Sequence, residues 1–326
     1  MNLFNVGLGN NGGSMTLVRS ANTLVNLGHE VIIVDGGKNK HTWTKLKAKH
    51  LIIRDTNQIP EADVIVATGM KSISSTNKSK IKNKFIWLRG WETWVFSEEK
   101  IINMLKNSSC IKIVNSICLQ NKLNSFNINS EIIRPGYDFN EIYPLEIKKG
   151  KNIILGGLYS VPKHFTTKRT KWILEAVSSL KSDRILNVKL WMFGSPSDPK
   201  NNIIDKYFCQ PDIQTKNKFY NKIDIWLSPN TLEGLHIVPA EAMLTGCPVI
   251  GTNSEMSGLQ DYLIHNSTGL VSENDFDRFL ANIIYLIQNK QKRLEMGRNA
   301  RNKILGIGDR KTNMKKMISF IERNCK

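Results

Sequence analysis

SPNTLEGLHIVPAEAMLTGCPVIGT, residues 228–252, is the stretch from which the fold of this chain is read. The apolar run 223–227 ahead of it has the length and composition of a buried strand. Pro239 suits the first position of a helix, where its missing N–H is no loss, and Gly246 suits the stop. Pro248, Val249 and Ile250 then open a second buried strand. Strand, loop, helix, strand is the repeating unit of an α/β protein with a parallel sheet. Within it Glu233 and Glu241 stand eight positions apart around the helix start. A helix N-terminus offers unpaired N–H groups to phosphate oxygens, while a carboxylate accepts hydrogen bonds from sugar hydroxyls. Together they describe a pocket for a nucleotide sugar. A glutamate in the first helical turn also complements the helix dipole without any ligand, and for Glu241 taken alone both accounts stand.

The same alternation recurs outward in both directions. Strands are predicted at 152–155, 188–193, 223–227 and 249–250, followed by an amphipathic helix over 278–287. An earlier unit opens with an apolar run at 3–8, a glycine loop at 9–13 and a helix carried by Met15, Leu17, Val18, Ala21, Leu24, Val25 and Leu27. Gly28 stops that helix, and strands follow at 30–34, 51–53, 64–67, 85–88 and 111–114. A chain of 326 residues has room for two domains, each with its own core. The expected architecture is α/β, two tandem Rossmann-like, doubly wound domains with ligands at the strand ends. RPGYDFNEIYPLEIKKGK, rich in proline, glycine and charge, reads as the joint between them. The expected division is 1–137, a linker 138–150, a second domain 151–308 and a last helix in 309–326. That helix sets Met314, Met317, Ile318 and Ile321 on one face, with Lys311, Lys315 and Lys316 off it.

Composition narrows the class. A hydrophobic fraction of 40% with 23% charged residues is that of a globular protein, not a disordered or fibrous one. The five cysteines are odd in number and without metal spacing, which fits reduced thiols in a cytoplasmic protein. No stretch approaches the roughly 20 apolar residues that span a bilayer, and the first residues lack the pattern of a signal peptide. Lysine and arginine exceed the acids 46 to 28, a net charge of +18. Twelve of those cations against three acids fall between Lys290 and Lys326. Either this is drift toward lysine and asparagine along the whole chain, or it is a basic face for an acidic acceptor or anionic lipid head groups at the inner membrane surface. Nucleic acid is the less expected partner.

Glu233-Gly-Leu-His-Ile-Val-Pro-Ala-Glu241, followed by AMLTGCPVIGT and by DYLIHNSTGLV, resembles the E-x(7)-E motif of the retaining glycosyltransferases of family 4, which have the GT-B fold. The likeness covers most of the second domain and touches the first at GGSMTLVRSANTLVNLGHEVIIV, IVNSICLQNKL and RPGYD. It implies two Rossmann-like domains facing a cleft, with the last helix returning to the first domain. It also implies sugar transfer from a nucleotide-diphosphate sugar to a hydroxyl acceptor, a glycan or lipid-linked glycan, with retention and without a metal or other cofactor. By this resemblance Glu241 serves the ribose hydroxyls and Glu233 the donor-sugar hydroxyls. Lys168 and the backbone of Gly234, Leu235, His236, Ile237 and Val238 serve the diphosphate, and Glu233 with Lys168 are the catalytic candidates. The backbone near Cys209 to Pro211 edges the base. Many members carry glycine where His236 stands. The family's arginine place falls on Gly157, so that Arg169, Lys171 or Lys163 is left to supply the charge. In the first domain FIWLRGWETW has no histidine, and Arg89, Trp91 and Glu92 are the acceptor-side candidates. Trp91 and Trp94 suit either a stacking platform for a sugar ring or core packing, and Arg89 with Glu92 suit an ordinary ion pair equally.

Two competing motifs are present. Gly7, Gly9 and Gly12 fit G-x-G-x-x-G, with Asp35 closing the next strand, the elements of a dinucleotide fingerprint and of a nicotinamide-dependent oxidoreductase. That reading leaves residues 233–252 without a role, whereas Gly12 and Gly13 equally let backbone amides approach a donor diphosphate or an acceptor. A relative that binds sugar nucleotides or polyanions without turnover is the third reading. Asp275-Phe-Asp277 matches a D-x-D metal motif, but Asp275 is better placed as the N-cap of the helix that follows.

Overall fold

The computed structural model describes the chain apart from residues 5–6, 38–39, 161–164, 183–186, 198 and 326. It divides into two compact units, Met1–Gly136 with Gly308–Lys326, and Tyr137–Ile307.

Unit 1 carries strands β1 (Asn2–Phe4), β2 (Ile32–Asp35), β3 (Lys49–Ile52), β4 (Val64–Ala67), β5 (Asn83–Leu88), β6 (Ile111–Val114) and β7 (Glu131–Ile132). Helices α1 (Gly12–Asn26), α2 (Ile73–Lys78), α3 (Glu98–Lys106) and α4 (Ile117–Asn124) connect them. The sheet order is β3-β2-β1-β4-β5-β6-β7, and every pair in it is parallel. Strands buried on both faces read as continuous apolar runs, which is why Val64–Ala67 is buried at every position.

Unit 2 repeats the plan with β8 (Ile153–Tyr159), β9 (Val188–Gly194), β10 (Lys206–Cys209), β11 (Ile225–Ser228), β12 (Leu232–Glu233), β13 (Val249–Gly251), β14 (Met256–Ser257) and β15 (Gly269–Val271). Its helices are α5 (Phe165–Lys168), α6 (Thr170–Ser182), α7 (Ile213–Lys222), α8 (Ile237–Leu244), α9 (Phe276–Gln288) and α10 (Lys290–Ile307). The main sheet runs β10-β9-β8-β11-β13-β15, all parallel, with β12 and β14 as a small separate pair. In both sheets the first strand lies beside the fourth of the series, the arrangement that opens a crevice at the carboxyl ends of those two strands. The joint read as a linker is not a bare tether: Tyr137 and Ile142 are buried in the core of unit 2, and Asn217 and Asn221 bond the backbone of Tyr143 and Leu145.

The chain returns to unit 1 as α11 (Arg310–Asn324). Met314, Met317 and Ile321 enter the core formed by α1 and the sheet, while Ile318 is partly buried at its margin. Asp309 caps the helix through Thr312 N at 2.6 Å. Gly136 permits the close passage, since it sits at φ +75° and a Cβ there would lie 2.4 Å from the Asp309 carbonyl oxygen. Because Met317 is fully buried in this core, Met317→Ala should cost about 2–5 kcal/mol in urea unfolding. The exposed Lys315→Ala on the same helix should stay within roughly 0.5 kcal/mol.

Candidate functional site

β8 and β11 are the pair at which the order of the unit 2 sheet reverses, and the charged groups of the site lie on the short elements that follow them, α5 and β12. After β8 the chain reaches α5, whose last residue is Lys168. After β11 it passes Pro229 and Asn230 to Glu233. The Lys168 ammonium donates to Glu233 Oε1, and Asn230 Nδ2 donates to the same oxygen at 2.8 Å. Their side chains are 24% and 18% exposed, so the pair sits below the surface yet within reach of solvent. Burial lowers the Lys168 ammonium to about 8, even with a carboxylate in contact.

Helix α8 begins at Ile237, two residues earlier than Pro239 suggests. Pro239 therefore occupies the third helical position. The misplacement has a simple cause: none of the first four N–H groups of a helix has an intrahelical partner, so proline is tolerated at each of them. His236 is the N-cap, with left-handed backbone at φ 54° and ψ 62°, and its side chain makes no capping bond. Its Nε2 lies 3.2 Å from Ser228 Oγ and 3.8 Å from Glu233 Oε1. Burial first, and the Lys168 charge second, hold the imidazole well below its ordinary pKa, so it is neutral.

Glu241 is the fifth residue of α8 and lies outside its first turn, so the dipole account of it does not apply. It is 6% exposed, and both oxygens are engaged. Lys216 Nζ stands 3.1 Å from Oε1 and 2.8 Å from Oε2, and the Tyr220 hydroxyl donates to Oε2 at 2.8 Å. Lys216, Tyr220, Ser228 and Asn230 were not singled out from the sequence. Lys216 and Tyr220 lie four apart on α7 and thus on one face, but in a chain this rich in lysine such a pair does not stand out.

The cation expected to replace an arginine at Gly157 is not decided by that position. A Cβ on Gly157 would meet Ile173 Cδ1 at 3.1 Å and Met192 Cε at 3.2 Å, so the residue faces the packing between sheet and α6. Lys171 is exposed and paired with Glu175 at 3.3 Å, and Lys163 lies outside the described residues. Arg169 has left-handed backbone at φ 49°. Its guanidinium stacks 4.1 Å from the Trp172 ring centroid, and Nη1 is buried without a partner among the described residues. At the proposed base edge, Gln210 N bonds the Gly194 carbonyl at 2.8 Å and leaves Cys209 exposed.

Unit 1 holds the acceptor-side candidates and the glycine loop. Trp91 is 3% exposed, with Nε1 donating to Glu98 at 3.1 Å, so it packs in the core and offers no platform. Trp94, by contrast, is 66% exposed. Arg89 donates to the carbonyls of Thr68 and Gly13, and thereby ties the loop after β4 to the first turn of α1. Burial lowers this guanidinium to about 10. Glu92 accepts from Met70 N at 3.3 Å, and burial raises its pKa. Glycine is not demanded by packing at position 12, where a Cβ would meet nothing within 4 Å. A dinucleotide fingerprint uses its third glycine for close helix packing, a role that is absent here. Asp35 is fully buried, bonded to Gly37 N at 2.5 Å and to His50 Nε2 at 2.7 Å, and is not presented to a ribose. Asp275 caps α9 through Arg278 N at 2.8 Å, as expected. Among the described residues no cluster of three metal-ligating side chains occurs, and no helix is long and apolar enough to cross a membrane.

The cost of emptying the Glu241 site measures how firmly its carboxylate is held. Lys216→Met leaves a buried carboxylate without its cation and should destabilise unit 2 by about 3–5 kcal/mol. Tyr220→Phe removes one bond to a charged acceptor and should cost roughly 1.5–3 kcal/mol. Denaturant titration of the two variants checks this order.

Residues 143–303 match the family model described as glycosyl transferases group 1. A stretch of 149 residues is 28% identical to the capsular polysaccharide biosynthesis glycosyltransferase CapM of Staphylococcus aureus, and covers 42% of this chain but only 38% of that protein. The structure of HepE from Anabaena in complex with UDP and glucose superposes with a TM-score of 0.80 at 13% identity, covering 98% of both chains. Sucrose-phosphate synthase from Thermosynechococcus elongatus gives a TM-score of 0.78 at 16% identity, over 99% of this chain and 98% of that one. The fold is GT-B.

Proposed function

We propose that this protein is a glycosyltransferase that moves a sugar from a nucleotide-diphosphate donor to a hydroxyl acceptor with retention of anomeric configuration. The observation that carries the reading is the meeting of Lys168 and Glu233 at the ends of β8 and β11, beside the start of α8. Departure of a nucleoside diphosphate develops negative charge, and a cation with aligned backbone N–H groups stabilises it there. Lys168 and the amides of residues 235–238 take that role, with Arg169 as the additional cation. Glu233 accepts from the hydroxyls of the transferred sugar and Glu241 from the ribose. Unit 1 serves the acceptor, with Gly12, Gly13 and Arg89 shaping its strand-end edge. The family match over most of unit 2, the likeness to CapM, and a fold shared with a protein crystallised with UDP and glucose support this reading. CapM's part in capsular polysaccharide biosynthesis favours a glycan or lipid-linked glycan as acceptor. Peripheral contact with an anionic membrane surface from the cytoplasmic side belongs to the same reading, and no metal is required by it. A nicotinamide-dependent reaction is disfavoured because it leaves the Lys168–Glu233 meeting without a role and rests on Asp35, which has no exposed surface.

Thermal unfolding with UDP, GDP, ADP, their sugar conjugates and NAD tests the proposal. At 100 times its dissociation constant the correct ligand should stabilise the protein by about 2.7 kcal/mol, and Lys168→Ala and Glu241→Ala should weaken the response. Stabilisation by NAD alone would overturn it, whereas donor binding without release of nucleotide would identify a non-catalytic relative. A pH series adds an independent reading. Lys168 is charged below about 8 and neutral above, so donor affinity should fall between roughly pH 7 and 9. Lys168→Ala should lack that fall in titration calorimetry.

A further inference from the structure

His236 is held at a cost. Left-handed backbone is unfavourable by about 1–2 kcal/mol for a residue with a Cβ, and the imidazole gives α8 no capping bond in return. Its carbonyl accepts from the Tyr262 hydroxyl, which fixes the backbone in place. The side chain is 5% exposed and enters a line of polar groups: Nε2 to Ser228 Oγ at 3.2 Å, Ser228 Oγ to Asn230 Oδ1 at 3.5 Å, and Asn230 Nδ2 to Glu233 Oε1 at 2.8 Å.

Chemistry assigns the protons along this line. A carboxylate only accepts, so the Asn230 amide nitrogen faces Glu233 and its oxygen faces Ser228. That oxygen accepts in turn, so the Ser228 hydroxyl points toward it and receives the N–H of His236. A neutral imidazole has one N–H, here on Nε2, which leaves Nδ1 as a buried lone pair without a partner among the described residues. The line ends on the carboxylate oxygen that Lys168 also holds.

We propose that His236 is a positioning residue that acts through Ser228 and Asn230 to orient the Glu233 carboxylate, and so sets how strictly the enzyme selects the hydroxyl pattern of the donor sugar. The proposal rests on the reading of Glu233 as the group that meets the sugar. Strain of this kind persists where surrounding structure enforces it, commonly at functional sites.

The test compares His236→Gly, His236→Gln and Ser228→Ala with wild type. Glycine adopts φ 54° freely, and glutamine offers a donor at about the reach of Nε2. The probes are UDP, UDP-glucose and UDP-galactose, or GDP, GDP-glucose and GDP-mannose where wild type takes guanosine donors; each sugar pair differs in one hydroxyl. His236→Gly should lower the kcat/KM preference between the two sugars about tenfold, a larger change than in inhibition by the free diphosphate. Ser228→Ala, which leaves the backbone of residues 235–238 intact, should lower the preference as far, with inhibition by the free diphosphate unchanged, and add nothing in combination, and His236→Gln should restore most of the preference. Equal losses for diphosphate and sugar donor would mean a structural role only and overturn the proposal, as would unchanged selectivity in His236→Gly. Failure of wild type to bind any sugar nucleotide would instead overturn the underlying reading of the site.

Discussion

β8 and β11 are hydrogen-bonded neighbours, although the loops that leave them are far apart in the chain. Right-handed crossovers send the connection of each strand to opposite faces of the sheet, and a crevice opens between them. At that edge the end of α5 delivers a lysine and β12 a glutamate, 65 positions apart in sequence. Everything distinctive in unit 2 depends on this placement. The backbone start of α8 and the polar line through Asn230 matter because they converge on the edge that the strand order creates. Unit 1 has the same strand order between β1 and β4, where Arg89 ties the loop after β4 to the start of α1 through backbone carbonyls.

Water is largely withdrawn from these charges, and opposite charge takes its place. Glu241 has Lys216 and Tyr220, and Glu233 has Lys168 and Asn230. A charge removed from water is tolerated only when paired and hydrogen-bonded. Under the proposed function this pairing also filters ligands. An uncharged sugar offers hydroxyls to Glu233 but no anion to Lys168, and inorganic phosphate offers the reverse. Only a molecule carrying both groups at the right separation compensates both members of the pair when it separates them.

Alternation of buried strands and helices was legible in the sequence because doubly buried parallel strands are continuous apolar runs bounded by glycine and proline, as at Val64–Ala67 and Val249–Gly251. Asp275 was legible as a cap for a similar reason, since capping is decided within a few residues. What escaped depends on depth and on distant partners. Trp91 has the same local sequence whether its ring stacks on a sugar or packs in the core, and only the enclosing fold settles that. Asp35 looks available until β3 brings His50 against it. The start of α8 was misplaced by proline's tolerance for several early helical positions. The line from His236 to Glu233 could not be read because each link depends on side-chain direction, although the departure from glycine at 236 was visible.

Charge distribution shows the same limit in another form. The basic run from Lys290 onward looks like one face in the sequence, but the fold divides it: α10 belongs to unit 2 and α11 to unit 1. Two of its cations are structural. Arg293 is buried and donates to the carbonyls at the end of α9, and Arg310 is buried against Ser20. Counted by unit, unit 1 holds 24 lysines and arginines against 11 acids, a net +13, and unit 2 holds 22 against 17, a net +5. Drift of composition alone acts on both units alike and does not predict so uneven a split. The excess therefore lies mainly in unit 1, and net charge of this kind acts on the rate of encounter with oppositely charged molecules more than on the strength of a final contact.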